Sequence, residues 1–128
     1  REQEVSNPRV VLQRITGVDS KVRIISTLIN GHMYCANSTN YIANDNSINI
    51  KYLLGVLNSS LVNFFIKQTS TNTNITAKVL NSIPIIFPST KMQEAIIRIV
   101  DYVLIIKSLP SDIIIDQYVD NDVMAPQF

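Results

Sequence analysis

The stretch Ile50–Phe65, IKYLLGVLNSSLVNFF, decides the fold class more than any other part of the sequence. Its apolar residues recur at intervals of three and four, which predicts an amphipathic helix. Val56, Val62 and Ile66 widen the apolar stripe, so we expect this helix to be covered on more than one side and to lie centrally. The small polar residues in mid-helix, Asn58 and Ser59, are interpreted as permitting close packing or as bonding a neighbouring loop rather than as a binding site.

The residues that precede this helix are typical of strands. Arg9–Thr16 and Lys21–Ile29 are rich in Val and Ile and flank Gly17–Ser20, which has strong turn character, so a hairpin is predicted. Asn30–Gly31 suits a tight two-residue turn, after which His32–Ala36 is predicted to return as a third strand. The expected sheet is therefore a meander.

The segment between the third predicted strand and the helix, Asn37–Asn49, is polar and rich in Asn, with Tyr41–Ile42 as a short strand inside it. An AT-rich genome, which overuses Asn and Ile codons, explains this composition as well as any function does.

After the helix, Gln68–Asn74 has no apolar residue and is expected to be an exposed loop. Thr76 is predicted to cap a short helical turn that ends at Asn81, and Ile83–Phe87 is predicted to be a strand. Thr90–Gln93 matches a capping box, so a second long helix is expected to begin there and to continue to Lys107. The fold class predicted from these elements is α+β: a small, twisted, mostly antiparallel sheet packed against two main helices.

Composition restricts the class of protein. The chain has 128 residues, of which 46% are hydrophobic and 16% charged, and this balance is typical of one globular domain. Cys35 is the single cysteine and His32 the single histidine, which excludes an internal disulfide and a zinc site built from such ligands. The apolar run Ile96–Ile106 is too short to cross a membrane. Because the chain starts at Arg1 and has no signal segment, we expect it to be part of a longer cytoplasmic protein.

Charge is distributed unevenly along the chain. Residues 5–91 contain eight basic and two acidic residues, whereas residues 92–128 contain two basic and six acidic residues. This asymmetry fits a body that binds a polyanion and a tail that does not, although a solvated surface could segregate its charges by chance.

Two short sequence motifs resemble those of a known family. YLLGVLNS at Tyr52–Ser59 precedes LNSIPI at Leu80–Ile85, and a helix start with Pro88, Gln93 and Ile96 follows. In this order they resemble the TaqI-like C-terminal specificity domain of bacterial adenine-N6 DNA methyltransferases and fused restriction-modification enzymes. The likeness covers about residues 9–107, and the helix start is also similar to that of type I specificity subunits.

The resemblance implies a target-recognition domain that binds double-stranded DNA. Residues 1–8 would lead in from a missing upstream domain, residues 9–107 would form the domain, and residues 108–128 would form an acidic segment that packs against the methyltransferase catalytic domain of the same chain. AdoMet would be the cofactor of the parent enzyme and not of this part. Since the sequence lacks a Gly-rich AdoMet turn and an Asn/Asp-Pro-Pro-Tyr/Phe motif, we expect it to be non-catalytic.

The predicted DNA contacts fall into two groups. Basic residues on one strand face and beside the polar loop are expected to contact phosphates, although a plain solvated face would look the same: Arg14, Lys21, Arg23, Lys67 and Lys78. Amide and hydroxyl side chains of two polar segments are expected to read bases, the alternative being simple polar connections: Asn37, Ser38, Asn40, Gln68, Thr71, Asn72 and Asn74.

Two other functions stay open at this point. A continuing coiled-coil spacer and a second recognition domain would favour half of a type I specificity subunit. Failure to bind any duplex at low salt would favour a protein-interaction domain without a DNA role.

Overall fold

The computed structural model describes residues 6–110. Its sheet has three short antiparallel strands, β1 Arg9–Gln13, β2 Ser26–Ile29 and β3 Thr39–Ile42, in the order β2-β1-β3. Because β1 lies in the centre, Val10 and Leu12 turn one face of the sheet into the core and are almost completely buried. The α+β class predicted from the sequence is confirmed.

Within residues 6–110, four helices follow the sheet. They are α1 Ile50–Leu57, α2 Ser60–Thr69, α3 Ala77–Asn81 and α4 Thr90–Ser108. As predicted, Thr76 caps α3, with its hydroxyl accepting the Val79 amide at 3.3 Å. Helix α1 has contacts both with the sheet and with α4, so the central position expected for this stretch is confirmed.

The prediction of one continuous helix over Ile50–Phe65 is wrong, because the chain breaks between α1 and α2. Asn58 ends α1, and the Ser59 hydroxyl caps α2 by accepting the Val62 amide at 3.3 Å. The Asn58 backbone amide still donates to the Leu54 carbonyl at 3.1 Å, and its side-chain amide nitrogen donates to the Ser26 carbonyl of β2 at 3.1 Å. The expectation that this polar pair bonds a neighbouring segment is confirmed for Asn58, whereas Ser59 bonds within the helices.

The sheet pairs differently from the predicted meander. The hairpin of β1 with β2 is confirmed, with Val11 opposite Thr27, but the segment His32–Ala36 is not a strand. A tight turn at Asn30–Gly31 would need positive φ at both residues, and only Gly31, with φ 61°, has it. The third strand is β3, which pairs with the other edge of β1 and includes Tyr41 and Ile42.

Two expectations near the start of α4 are also corrected. Ile83–Phe87 is not paired as a strand within the described residues; it crosses α1, where the Tyr52 hydroxyl donates to the Ile86 carbonyl. The capping box at Thr90–Gln93 is absent, because Ser89 is the N-cap residue and makes no side-chain cap bond. Gln93 instead donates to the Pro88 carbonyl at 2.9 Å.

The acidic segment expected to pack against a catalytic domain lies outside the described residues, except for residues 108–110, and so does most of the N-terminal lead-in.

The contact of α1 with α4 depends on Gly55. A Cβ atom at this position would lie 2.8 Å from Ile96 Cγ2 and 2.9 Å from Val100 Cγ2. These two methyl groups belong to β-branched side chains, which have few alternative rotamers in a helix. The absence of a side chain at Gly55 therefore lets the two helices approach closely.

Gly55→Ala should destabilise the domain by about 1–2 kcal/mol, since the cost of overpacking exceeds the gain of about 1 kcal/mol in helix propensity. The free energy of unfolding in urea measures the change. In an Ile96→Ala background the same substitution should cost less, because one of the two clashing methyl groups is gone. A Gly55→Ala variant that is more stable than the parent would contradict the close approach.

Candidate nucleic-acid interface

Arg23 is the largest fully buried side chain within residues 6–110, with 0% exposed surface. Its guanidinium group donates to the Thr16 hydroxyl at 3.2 Å, to the Ser70 carbonyl at 3.2 Å and to the Asn72 carbonyl. No carboxylate of residues 6–110 pairs with it, so neutral oxygens alone compensate the buried charge. One side chain thus holds the segment before α3 against the loop that joins β1 to β2.

This position corrects the predicted exposed basic strand face. Arg14, Lys21 and Arg23 all lie in the connection between β1 and β2, not on a strand. Arg14 and Lys21 are exposed, but the buried guanidinium of Arg23 cannot reach a phosphate in this structure. The prediction of a basic face from alternating residues was wrong because residues 14–25 form a loop. In a loop, unlike in a strand, successive side chains do not alternate between a buried and an exposed face.

The two polar segments predicted to read bases are adjacent, and Arg14 lies between them. Its backbone amide donates to the Ser38 carbonyl at 3.0 Å, and its carbonyl accepts the Ile75 amide at 2.7 Å. Its guanidinium group donates to the Asn37 carbonyl at 3.4 Å. Ser38 and Ile75, which are 37 positions apart in sequence, are therefore joined to the backbone of one residue.

The seven predicted readers divide by exposure. Five are exposed, namely Asn37, Ser38, Gln68, Thr71 and Asn72. Gln68 belongs to the last turn of α2 rather than to the loop after it.

Asn40 and Asn74 are half-buried and have bonds within the domain. The Asn40 amide nitrogen donates to the Ile75 carbonyl at 2.5 Å, and Asn74 forms an isolated bridge with Ile15. In addition, the Asn72 side chain accepts the backbone amide of Asn74 at 3.2 Å, which shapes the loop from within.

The two remaining predicted phosphate contacts flank the second polar segment. Lys67 lies in the last turn of α2 and Lys78 in α3, and both are exposed. Together with Arg14 and Lys21 they give the described surface four exposed cations in segments next to the polar residues.

A family model, that of the TaqI-like C-terminal specificity domain, matches residues 3–85, which is more than half of the chain. The chain belongs to this family. Comparison with curated proteins and with solved structures finds no match. A specificity domain serves DNA target recognition in restriction-modification proteins and is not itself catalytic. The matched residues include all three strands, α1 to α3 and every predicted contact, whereas α4 follows them.

Sequence reasoning missed Asn63, which together with Asn58 positions the polar surface of the specificity domain. The Asn63 side chain accepts the Arg23 backbone amide at 2.7 Å and donates to the Lys21 carbonyl at 3.0 Å. Asn58 does the same for Ser26, with which it exchanges two hydrogen bonds. An Asn side chain has an NH2 group that donates and a carbonyl oxygen that accepts, so it can pair with the edge of a backbone segment as a neighbouring strand would. The signal that could have found this pairing is the spacing of five residues between Asn58 and Asn63, across the helix break.

Metal-binding groups and membrane-spanning helices are not found among the described residues of the specificity domain. His32 and Cys35 are both exposed, and residues 6–110 contain no group of three side chains able to hold a metal ion. None of the helices within those residues is long and apolar enough to cross a membrane.

Arg23→Met should destabilise the domain by about 3 kcal/mol, because it leaves buried carbonyl groups without a donor at about 1–3 kcal/mol each. Hydrogen exchange should also show faster exchange at the backbone amides of Thr16 and Ile75, which connect the same segments.

The matched control is Arg14→Met, the same substitution at an exposed position, which should cost less than about 1 kcal/mol. Equal losses in the two variants would mean that the buried guanidinium group does not hold the segments together.

Proposed function

We propose that this specificity domain reads a short double-stranded DNA sequence and thereby places the catalytic domain of a type IIG-like adenine-N6 methyltransferase over its target. The observation that carries the proposal is the junction at Arg14, where two polar segments from distant parts of the sequence meet. Exposed amide and hydroxyl groups from both segments then form one surface, as direct readout of neighbouring bases requires.

The chemistry of this surface suits base edges. Asn and Gln can pair with adenine through two hydrogen bonds, and Ser and Thr adapt to several bases. Asn37, Ser38, Gln68, Thr71 and Asn72 have the exposure that such contacts need. Asn40 and Asn74 have a smaller part in the proposal, because both are half-buried and the Asn40 amide nitrogen already donates to the Ile75 carbonyl.

Cations beside the polar surface would supply the affinity. Arg14, Lys21, Lys67 and Lys78 are exposed, and each phosphate that they neutralise releases condensed counterions. The excess of basic over acidic residues in residues 5–91 supports the same partner. We assign no cofactor to this domain; AdoMet would bind to the catalytic domain that it serves.

The first test concerns phosphates. Arg14→Ala and Lys21→Ala should weaken binding to all duplexes similarly and should each lower the slope of log K against log salt by about one unit. Fluorescence anisotropy with a labelled duplex at several salt concentrations measures the slope. The control is Lys107→Ala, which removes an exposed cation near the end of α4. If the first two variants keep the parent slope, these cations do not contact the backbone.

The second test concerns sequence reading. Selection from a randomised duplex library with the full chain should yield a preferred site, and Asn72→Ala or Gln68→Ala should lose about 1–3 kcal/mol of discrimination at one base position.

The matched control is Asn30→Ala, which changes an exposed asparagine that follows Ile29, opposite Arg9 and therefore at the far end of β1 from Arg14. It should leave the preference unchanged. A reader variant that selects the parent site with undiminished preference would remove that residue from the reading surface.

A further inference from the structure

Helix α4 has two apolar faces, and the described part of the chain covers one of them. The covered face packs against α1 through Ile96, Val100 and Leu104. The other face, which we call the α4 seam, consists of Met92, Ala95, Ile99, Tyr102 and Ile106 of the helix and of Leu109 at its C-cap. All of these residues are exposed except Ile106, which is half-buried, and Ile99 has 63% of its surface exposed. A helix that is apolar on nearly every side is normally buried in the complete assembly.

The spacing of the α4 seam indicates what would cover it. Its six residues follow one another at intervals of three, four, three, four and three. This alternation is the heptad pattern, which keeps a narrow apolar stripe in line with another helix that coils around it. A sheet or a loop would not require this periodicity. The fitting partner is therefore an α-helix with an apolar stripe of its own.

The two flanks of the α4 seam differ in chemistry. One flank carries the exposed cations Lys91 and Arg98, and no ion pair within residues 6–110 involves either of them. On the other flank, Val103 is exposed, and Ile96 lines an apolar cavity of about 500 Å³ to which residues of α1 and α2 also contribute. The acidic residue Asp101 lies on neither flank, and it pairs with Lys51 of α1.

These flanks argue against a second copy of the chain as the partner. Two antiparallel copies would bring Lys91 and Arg98 against the same cations of the other copy. Two parallel copies would place them against the apolar flank. Both arrangements leave the cations without a carboxylate, whereas opposite charges beside the seam are what selects a partner helix.

We propose that the α4 seam is a docking surface for an amphipathic helix of a partner protein or domain, one that carries carboxylates beside its own apolar stripe. The surface is separate from the reading surface around Arg14, and it lies after residues 3–85, which the family model matches. It does not depend on DNA binding. Ile99, which belongs to the seam and also lines the cavity, lies at the centre of the contact.

The experiment uses two designed helical peptides of about three heptads, identical except for their flanking positions. One has Leu in the apolar stripe and Glu on both flanks; the other has Lys on both flanks. Fluorescence anisotropy measures their binding to the full chain. The Glu peptide should bind roughly threefold to tenfold more tightly than the Lys peptide, as expected for a few exposed ion pairs.

Two substitutions separate docking at the α4 seam from unspecific adhesion. Ile99→Ser should weaken both peptides, and Arg98→Glu should abolish the preference for the Glu peptide, because the new negative charge offsets the positive charge of Lys91. Both residues are exposed, so circular dichroism should show an unchanged fold. Lys21→Glu is the control, since it makes the same charge change in the connection between β1 and β2 and should leave the preference as it was.

Four results would overturn the proposal. The two peptides could bind equally, or Arg98→Glu could leave the preference unchanged. The full chain could bind neither peptide, as it would if its own residues 111–128 covered the seam. Finally, sedimentation could show a dimer of the full chain that Ile99→Ser abolishes, which would assign the seam to a second copy.

Discussion

The guanidinium group of Arg23 is the interaction on which the polar surface of this domain depends. It is fully buried, and it bonds oxygens from two segments that are far apart in sequence, Thr16 on one side and Ser70 and Asn72 on the other. A buried charge without a carboxylate partner is costly unless hydrogen bonds satisfy it, so these loops are held in the geometry that offers their oxygens. The conformation of these exposed loops therefore depends on Arg23, a buried residue that does not itself contact a ligand.

Around this charge the domain uses side chains as substitutes for backbone pairing. Asn58 and Asn63 bond the chain between Lys21 and Ser26 much as another strand would, and β2 is consequently not left with a bare outer edge at that point. The break between α1 and α2 makes this possible, because the side chains of Asn58 at the end of α1 and Asn63 in α2 can both bond the chain beside the sheet. Local helical hydrogen bonds are lost at the break, and the tertiary hydrogen bonds formed there stabilise the fold by more.

The molecule also separates its two kinds of surface. Exposed polar groups and cations lie around Arg14, at the end of the sheet, while exposed apolar side chains follow one face of α4. The close contact at Gly55 connects the two, since it packs α4 against α1, and α1 in turn contacts the sheet. This packing connects the two surfaces through α1, as the proposed positioning of a partner relative to DNA would require.

The sequence by itself determined the fold class, the hairpin of β1 with β2, the position of α4 and the family, because each rests on local periodicity or on short texts such as YLLGVLNS at Tyr52–Ser59. It also located the two polar segments. Tertiary structure alone decided which strand pairs with the free edge of β1, that the helix breaks at Asn58, and that Arg23 is buried while Arg14 is exposed. The physical reason is that these outcomes depend on bonds between residues twenty to fifty positions apart, whose energies no local pattern contains.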